Sequence, residues 1–168
     1  VAVTDAQVAT DSSQIETTVV GTNELPVAGA TVSHMVDEGA GTISGQMTSK
    51  DVDDGSSATY TVSEDEKVPD GFELNADGSY SFDATDAAYD HLAEGENQVL
   101  DIPVTGTDDQ GATATSNIQI TVTGTNDAPS AISATGGTVE ENVGAGTVVS
   151  ERKATDADDG DKLSFSIA

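Results

Sequence analysis

The sequence predicts an all-β chain in which a Greek-key β-sandwich recurs along its length, and three observations carry that reading. Val1 to Pro26 aligns without a gap on Val104 to Pro129 at an offset of 103 residues, with 14 of 26 positions identical. A second echo joins Asp51-Val52-Asp53-Asp54-Gly55 to Asp156-Ala157-Asp158-Asp159-Gly160 at an offset of 105. Between these markers, apolar residues alternate with period two in short runs separated by Gly, Asp and Asn, the pattern of half-buried strands closed by tight turns. A period of about 100 residues lets each unit bury a core of its own, whereas stacked solenoid repeats of roughly 20 to 50 residues cannot. The chain therefore reads as beads on a string: residues 1–25 as the C-terminal strands of a truncated preceding repeat, 26–126 as a complete repeat, and 127–168 as the N-terminal part of a truncated following one. The flanks, with strands deprived of partners, are expected to be less well ordered than the middle.

The elements of the central repeat follow in order. A first strand lies near Thr31 to Val36, and alternation then marks Ile43/Gly45/Met47, Tyr60/Val62, Phe72/Leu74, Tyr80/Phe82, Leu100/Ile102/Val104 and Ile118/Ile120/Val122. About seven strands in about 100 residues suit a Greek-key sandwich of immunoglobulin type. Leu74 to Tyr80 passes through Asp77-Gly78, whose glycine supplies the positive φ of a tight hairpin. Thr85 to Leu92 is the one stretch expected to form a helical turn, capped by Thr85 or Asp86, with Ala88, Tyr89 and Leu92 facing the core. Glu64-Asp65-Glu66-Lys67 reads as a solvated loop.

Composition narrows the functional classes. Thirty-one acids against five Lys and Arg give a formal charge of −26 and a pI near 4.1, which disfavours nucleic acid and anionic membranes as partners and calls for counter-cations. The alternation of apolar residues argues for folded modules over the disorder that such charge can otherwise signal. Cysteine is absent, so no disulfide staples a module and stability must come from packing or metal. No apolar run approaches the ~20 residues of a membrane span.

The chemistry-bearing residues collect at the module boundaries. Thr22-Asn23-Glu24 precedes Asp51-x-Asp53, and Thr125-Asn126-Asp127 precedes Asp156-x-Asp158, so oxygen donors recur at each junction. Calcium takes six to eight such oxygens and tolerates irregular geometry. The same sequences also make good turns without any metal, because Asx side chains bond nearby backbone groups. Catalysis is not expected: carboxylate pairs could serve a glycosidase at ~5 to 9.5 Å, but the best-defined acids are copied from repeat to repeat, as an architectural demand would be. His34 and His91 lack any nucleophile or thiol motif nearby and read as surface or strand-end residues.

Several of these residues resemble a known family. Val139-Glu140-Glu141-Asn142-Val143-Gly144-Ala145-Gly146-Thr147 is similar to the opening cadherin motif V-x-E-N-x-x-x-G-T. Ala154 to Gly160, running on to Ile167, is similar to the cadherin A-T-D-A-D-x-G loop and the strand after it, and Asn126-Asp127-Ala128-Pro129 resembles the linker D-x-N-D-x-x-P. With the central unit, the chain most resembles the VCBS and cadherin-like repeats of large bacterial RTX-type surface adhesins. That resemblance implies Ca2+ at the junctions, held by Asn23, Glu24, Asp51 and Asp53 at the first and by Asn126, Asp127, Asp156 and Asp158 at the second. The cadherin L-D-R-E segment has no recognisable counterpart, which leaves Asp83, Asp86 and Asp90 open as substitutes, and Val36-Asp37-Glu38-Gly39 lacks the Glu-Asn pair.

The expectation is a calcium-rigidified extender repeat of a secreted adhesin on a bacterial cell surface, which holds a distal binding domain away from the cell for attachment or biofilm formation. Its partners would be neighbouring repeats of the same chain, with the isolated chain a monomer. The alternative is a module that binds a glycan or a surface protein through loops of the central repeat, although no cluster of exposed aromatic residues is evident. Homotypic contact between arrays is a third reading.

Overall fold

The computed structural model describes residues 1–53, 57–63 and 67–166. It is all-β, with no helix among the described residues. Thirteen strands follow in chain order: β1 (Ala2–Thr4), β2 (Thr10–Ser12), β3 (Val27–Ala28), β4 (Val32–Asp37), β5 (Thr42–Gln46), β6 (Ser49–Lys50), β7 (Thr59–Val62), β8 (Phe72–Leu74), β9 (Ser79–Asp83), β10 (Asn97–Thr107), β11 (Thr113–Thr123), β12 (Ser130–Gly136) and β13 (Ser150–Thr155). Seven of them form the two faces of a sandwich. One sheet has the order β4-β11-β10-β7, with β4 parallel to β11, and the other has the order β5-β9-β8. The expected strands all appear, and the Asp77-Gly78 turn joins β8 to β9 in the register Leu74 to Tyr80 and Phe72 to Phe82, with Gly78 at φ +85°.

Period-two alternation sets the core. On β10, Leu100, Ile102 and Val104 point inward, and on β11 Ile118, Ile120 and Val122 do the same, all buried. They meet Tyr80 and Phe82 of β9, Tyr60 of β7 and Phe72 of β8. Phe82 and Tyr89 stack edge to face at 5.3 Å between ring centroids, a geometry that adds to their burial. Burial pushes the Tyr89 phenol up to about 12, while its hydroxyl donates to the Asp70 carbonyl at 2.8 Å.

The stretch Thr85 to Leu92 departs from its expected helical turn. It runs as a chain of separate turns: Asp83 Oδ1 accepts from the Thr85 N–H at 3.0 Å and Asp86 Oδ1 from the Ala88 N–H at 2.9 Å, while the backbone closes only three-residue steps, Tyr89 N–H to the Asp86 carbonyl at 3.1 Å and Leu92 N–H to the Tyr89 carbonyl at 3.0 Å. Tyr89 and Leu92 do enter the core, whereas Ala88 is exposed. His34 also differs from a plain surface residue: it is half-buried, and its Nε2 lies 2.7 Å from the Tyr80 hydroxyl, bonding one sheet to the other. Of the Glu64 to Lys67 loop, 64–66 lie outside the described residues, as do Asp54, Gly55 and Ile167. Lys67 pairs with Asp70 at 3.4 Å, both exposed, the one salt bridge among the described residues.

The flanks repeat the centre on a smaller scale. The β1–β2 hairpin pairs Ala2 with Ser12 and Thr4 with Thr10, which is the register of Thr105 with Thr115 and Thr107 with Thr113 shifted by 103. Likewise β3–β6 pairs Val27 with Lys50 as β12–β13 pairs Ser130 with Thr155.

Candidate metal centre at the module junction

Three pieces of the central module converge on the second junction. Glu38 follows β4, and its N–H donates to the Thr123 carbonyl at the end of β11 at 2.8 Å, which fixes the carboxylate beside the outgoing chain. Asp90 lies between the buried Tyr89 and Leu92, whose insertion into the core pins the backbone on both sides of it. The outgoing segment is held by Gly124, whose N–H donates to Glu96 at 2.8 Å and whose carbonyl accepts from Gly95 at 3.0 Å. A Cβ at position 124 would press into the carbonyl oxygens of Leu92 and Ala93, so glycine is needed there to bring Asn126 and Asp127 close.

The result is a carboxylate cluster. Glu38, Asp90 and Asp127 each bring an oxygen within 4.8 Å of the others, and Asp156, Asp158 and Asp161 form a second such group. The two are tied together, since the Asp127 N–H donates to Asp158 Oδ2 at 2.9 Å. Asp158 is only 6% exposed, yet its Oδ1 has no partner, and neither has Asp156 Oδ2. Glu38, also 6% exposed, accepts from the Thr125 N–H at 3.3 Å. Its carboxyl is held above the usual glutamate range, first by burial and then by Asp127, Asp90 and Asp158, while the Thr125 amide pulls the other way.

Buried oxygens without donors, set among like charges, are costly unless a cation completes them. The donors of both groups are Asp and Glu carboxylate oxygens; these are the terms on which calcium binds, in preference to a metal that needs nitrogen or sulfur. The residues fit the ion.

At the first junction the same skeleton recurs with different dressing. The Glu24 N–H donates to Asp53 Oδ2 at 3.1 Å, and the Asp53 N–H to Asp51 Oδ1 at 2.8 Å, matching Asp127 with Asp158 and Asp158 with Asp156. Asp51 Oδ2 is again buried without a partner. The Glu24 carboxylate turns to Thr22 at 3.4 Å, and Asn23 donates its side-chain amide to Asp108 Oδ2 at 3.1 Å. Asp51 and Asp108 line a cavity of about 310 Å³ with Met47, Tyr60 and Asp77.

All eight residues expected as ligands thus stand at the two junctions, but not equally. Asp127, Asp156 and Asp158 join the clusters; Asn126 is exposed and spends its amide on the Asp127 carbonyl at 2.9 Å. Three further acids, Glu38, Asp90 and Asp161, belong to the two carboxylate groups, and a fourth, Asp108, faces Asn23 at the first junction. Of the three substitutes left open, Asp90 joins the second site, whereas Asp83 and Asp86 point to a groove beside β8 and β9. Glu38 carried a signal in its counterpart one period on, Glu141, and Asp108 in its identical counterpart Asp5. Asp161 carried none.

Comparison with known proteins agrees with the architecture. The structure superimposes on extracellular cadherin fragments: PcdhgB3 EC1-4 (TM-score 0.53, 18% identity, 81% of this chain and 33% of that one), protocadherin gamma B7 domains 1–4 (0.53, 21%, 81% and 34%) and protocadherin gamma B2 domains 1–5 (0.54, 22%, 80% and 26%). The chain spans about a third or less of these fragments, and at such identity the likeness is one of fold. No curated protein matches the sequence. No helix is long and apolar enough to cross a membrane among the described residues. The family model described as Bacterial Ig domain matches residues 23–121, more than half of the sequence, and the chain therefore belongs to the bacterial Ig domain family.

Proposed function

We propose that this chain is an extender segment of a secreted bacterial surface adhesin, in which Ca2+ at each module junction turns a flexible string of sandwiches into a stiff rod. The observation that carries the reading is the pair of buried, partnerless oxygens on Asp156 and Asp158, set beside Glu38 and Asp90 from the neighbouring module and Asp127 of the linker. An ion there would bond two modules at once, neutralise several of the charges that otherwise repel, and reduce the freedom of the linker at Gly124 to Pro129. Neighbouring repeats are then the partners, and rigidity is the product. The role is mechanical and not catalytic, since the acids best suited to chemistry are those the repeat copies. Attachment or biofilm formation is the setting that a rod of this kind serves, as the likeness to VCBS and RTX-type adhesins implies.

Calorimetry and backbone NMR on this chain test the reading. Calcium is expected to bind with the 10⁻⁴ to 10⁻³ M affinity typical of extracellular modules, to shift the amides of Asp127, Asp156 and Asp158, and to raise stability by about 2.7 kcal/mol once the ion reaches 100 times its dissociation constant. Asp158→Asn should weaken binding at least about tenfold, the scale on which even ligand-supporting groups act. If calcium and chelator leave the melting temperature, the amide spectrum and the scattering dimensions unchanged, the proposal fails.

A further inference from the structure

The outer face of the four-stranded sheet is built unlike the rest of this polyanion. Residues alternate in and out along each strand, so the outward positions of β10 and β11 are the odd-numbered ones, because Leu100, Ile102, Ile118 and Ile120 point in. Pairing aligns these positions into rows. Thr61, Thr105 and Thr115 form one row across β7, β10 and β11, and Thr59, Thr107 and Thr113 form the next. Toward the second junction, Met35, Thr121 and Val99 make a third row, whose outer members are 80% and 53% exposed. Asp37 and Asp101 are the only acids at outward positions of the four strands, and no cation stands there. Asp101 is shielded besides, since Asn117 and Gln119 donate their amides to its Oδ1 at 3.1 and 2.9 Å. The opposite sheet differs: the groove on its outer side carries Glu73, Asp83 and Asp86.

We infer that this sparsely charged, threonine-lined face is a homotypic contact surface, on which a second copy of the chain packs sheet to sheet around the Met35–Thr121–Val99 row. Charge limits where a second copy can sit. Two chains of formal charge −26 repel wherever carboxylates face one another, and among the described strands the four-stranded sheet spreads its outward acids, Asp37 and Asp101 alone, over more strand length than the three-stranded sheet has for Glu73 and Asp83. Like sheets pack face to face at ~10 Å with their strands roughly aligned, and the row of Met35 and Val99 supplies apolar side chains that a solvated face does not need. Four strands ~4.8 Å apart, two of them eleven residues long, present about 500 to 700 Å². Two such faces bury roughly 1,000 to 1,400 Å² in total, at the lower end for a specific complex, so the contact is weak for one module and gains strength only when many modules align. The pair Thr4 and Thr10 occupies in the preceding repeat the place of Thr107 and Thr113, so part of the face recurs along the array.

Sedimentation velocity of the whole chain in EDTA, from low salt to 1 M NaCl, separates this contact from calcium at the junctions. The chain is expected to be a monomer at low salt and to enter a monomer–dimer equilibrium as the screening length falls from ~10 Å at 0.1 M to ~3 Å at 1 M. Met35→Asp and Val99→Asp, both at exposed sites and checked for folding by circular dichroism, should each weaken the dimer at least about tenfold, because each would bury an unpaired carboxylate. Ser44→Asp, at an exposed position of β5 on the other sheet, should leave it unchanged. The inference is overturned if the chain stays monomeric at millimolar concentration and 1 M NaCl. It is overturned equally if association survives Met35→Asp, or if the amides of Met35, Val99 and Thr121 respond to a neutral polysaccharide such as dextran and not to the chain's own concentration.

Discussion

Val1 to Pro26 and Val104 to Pro129 are two copies of one segment in two settings, and they separate what is encoded locally from what is not. The turns agree closely. In the first copy Asp5 Oδ1 accepts from Gln7 at 2.9 Å and Ala9 at 2.8 Å; in the second Asp108 Oδ1 accepts from Gln110 at 2.9 Å and Ala112 at 2.8 Å. The first copy even forces Val8 to φ +71° where the second has Gly111 at +90°. Burial does not agree: Ile118 is fully buried, while its counterpart Ile15 is 71% exposed. Bonds between an aspartate and amides two and four residues on need only the local chain. A core needs the strands opposite, and Ile15 has none among the described residues.

The largest expected effect breaks that symmetry directly. Ile118→Ala should cost about 2 to 5 kcal/mol, the range for large-to-small changes in a packed core, whereas Ile15→Ala should stay within about 0.5 kcal/mol, as surface changes do. Urea unfolding of both variants checks it, and equal losses would mean that the first copy packs in solution against something of equal weight. A second pair sharpens the contrast at the linker. Gly21 has open space around the place of a Cβ, but Gly124 is pressed onto Leu92 and Ala93. Gly124→Ala should therefore cost about 1 to 3 kcal/mol through forced backbone shifts, and weaken calcium binding at the second junction by displacing Asp127; Gly21→Ala should do neither. Thermal melts with and without calcium read both.

Fold was legible wherever one side of a strand had to be apolar. Leu100, Ile102 and Val104, and Ile118, Ile120 and Val122, announce their inward faces without help from distant residues. The hairpin at Asp77-Gly78 was equally plain, because its turn chemistry lies in adjacent residues. The stretch from Thr85 to Leu92 misled, since the spacing of Tyr89 and Leu92 and the cap-type bonds of Asp83 and Asp86 suit a helical start and a chain of single turns equally well, and the backbone closes only three-residue steps there. At the sites, the repeat exposed Asp51, Asp53, Asp156 and Asp158 because the motif occurs twice. Asp90 was one of three equivalent choices until the fold turned it toward Asp127 and the others away. Glu38 lies 89 residues from Asp127, and only the parallel pairing of β4 with β11 brings the two together.

The smallest expected effect concerns protons, and it turns on two buried acids that sit in opposite surroundings. At the second junction Glu38 is raised above 4.5, chiefly by burial and then by neighbouring carboxylates. At the first, burial also acts upward on Asp108 and is its largest single influence. The Asn23 amide and the N–H groups of Ala112, Gln110 and Gly111 together outweigh it and leave the group below 3.8. The linkage signs are therefore opposite. Glu38 holds its proton more tightly in the folded chain, so its contribution to stability is present below pH 4.5 and is lost as pH rises through the raised value. Asp108 contributes above pH 3.8, and that contribution is lost as pH falls through its lowered value. In metal-free solution Glu38→Gln should flatten the decline on the rising side, and calcium should flatten it too by taking the place of the proton. Asn23→Ala should move the Asp108 midpoint upward and bring the acid-side loss to higher pH. Carboxyl ¹³C titration resolves each group: a Glu38 midpoint at or below 4.5 without calcium would remove the contrast between the junctions, and with it the physical reason for the second to demand an ion more strongly than the first.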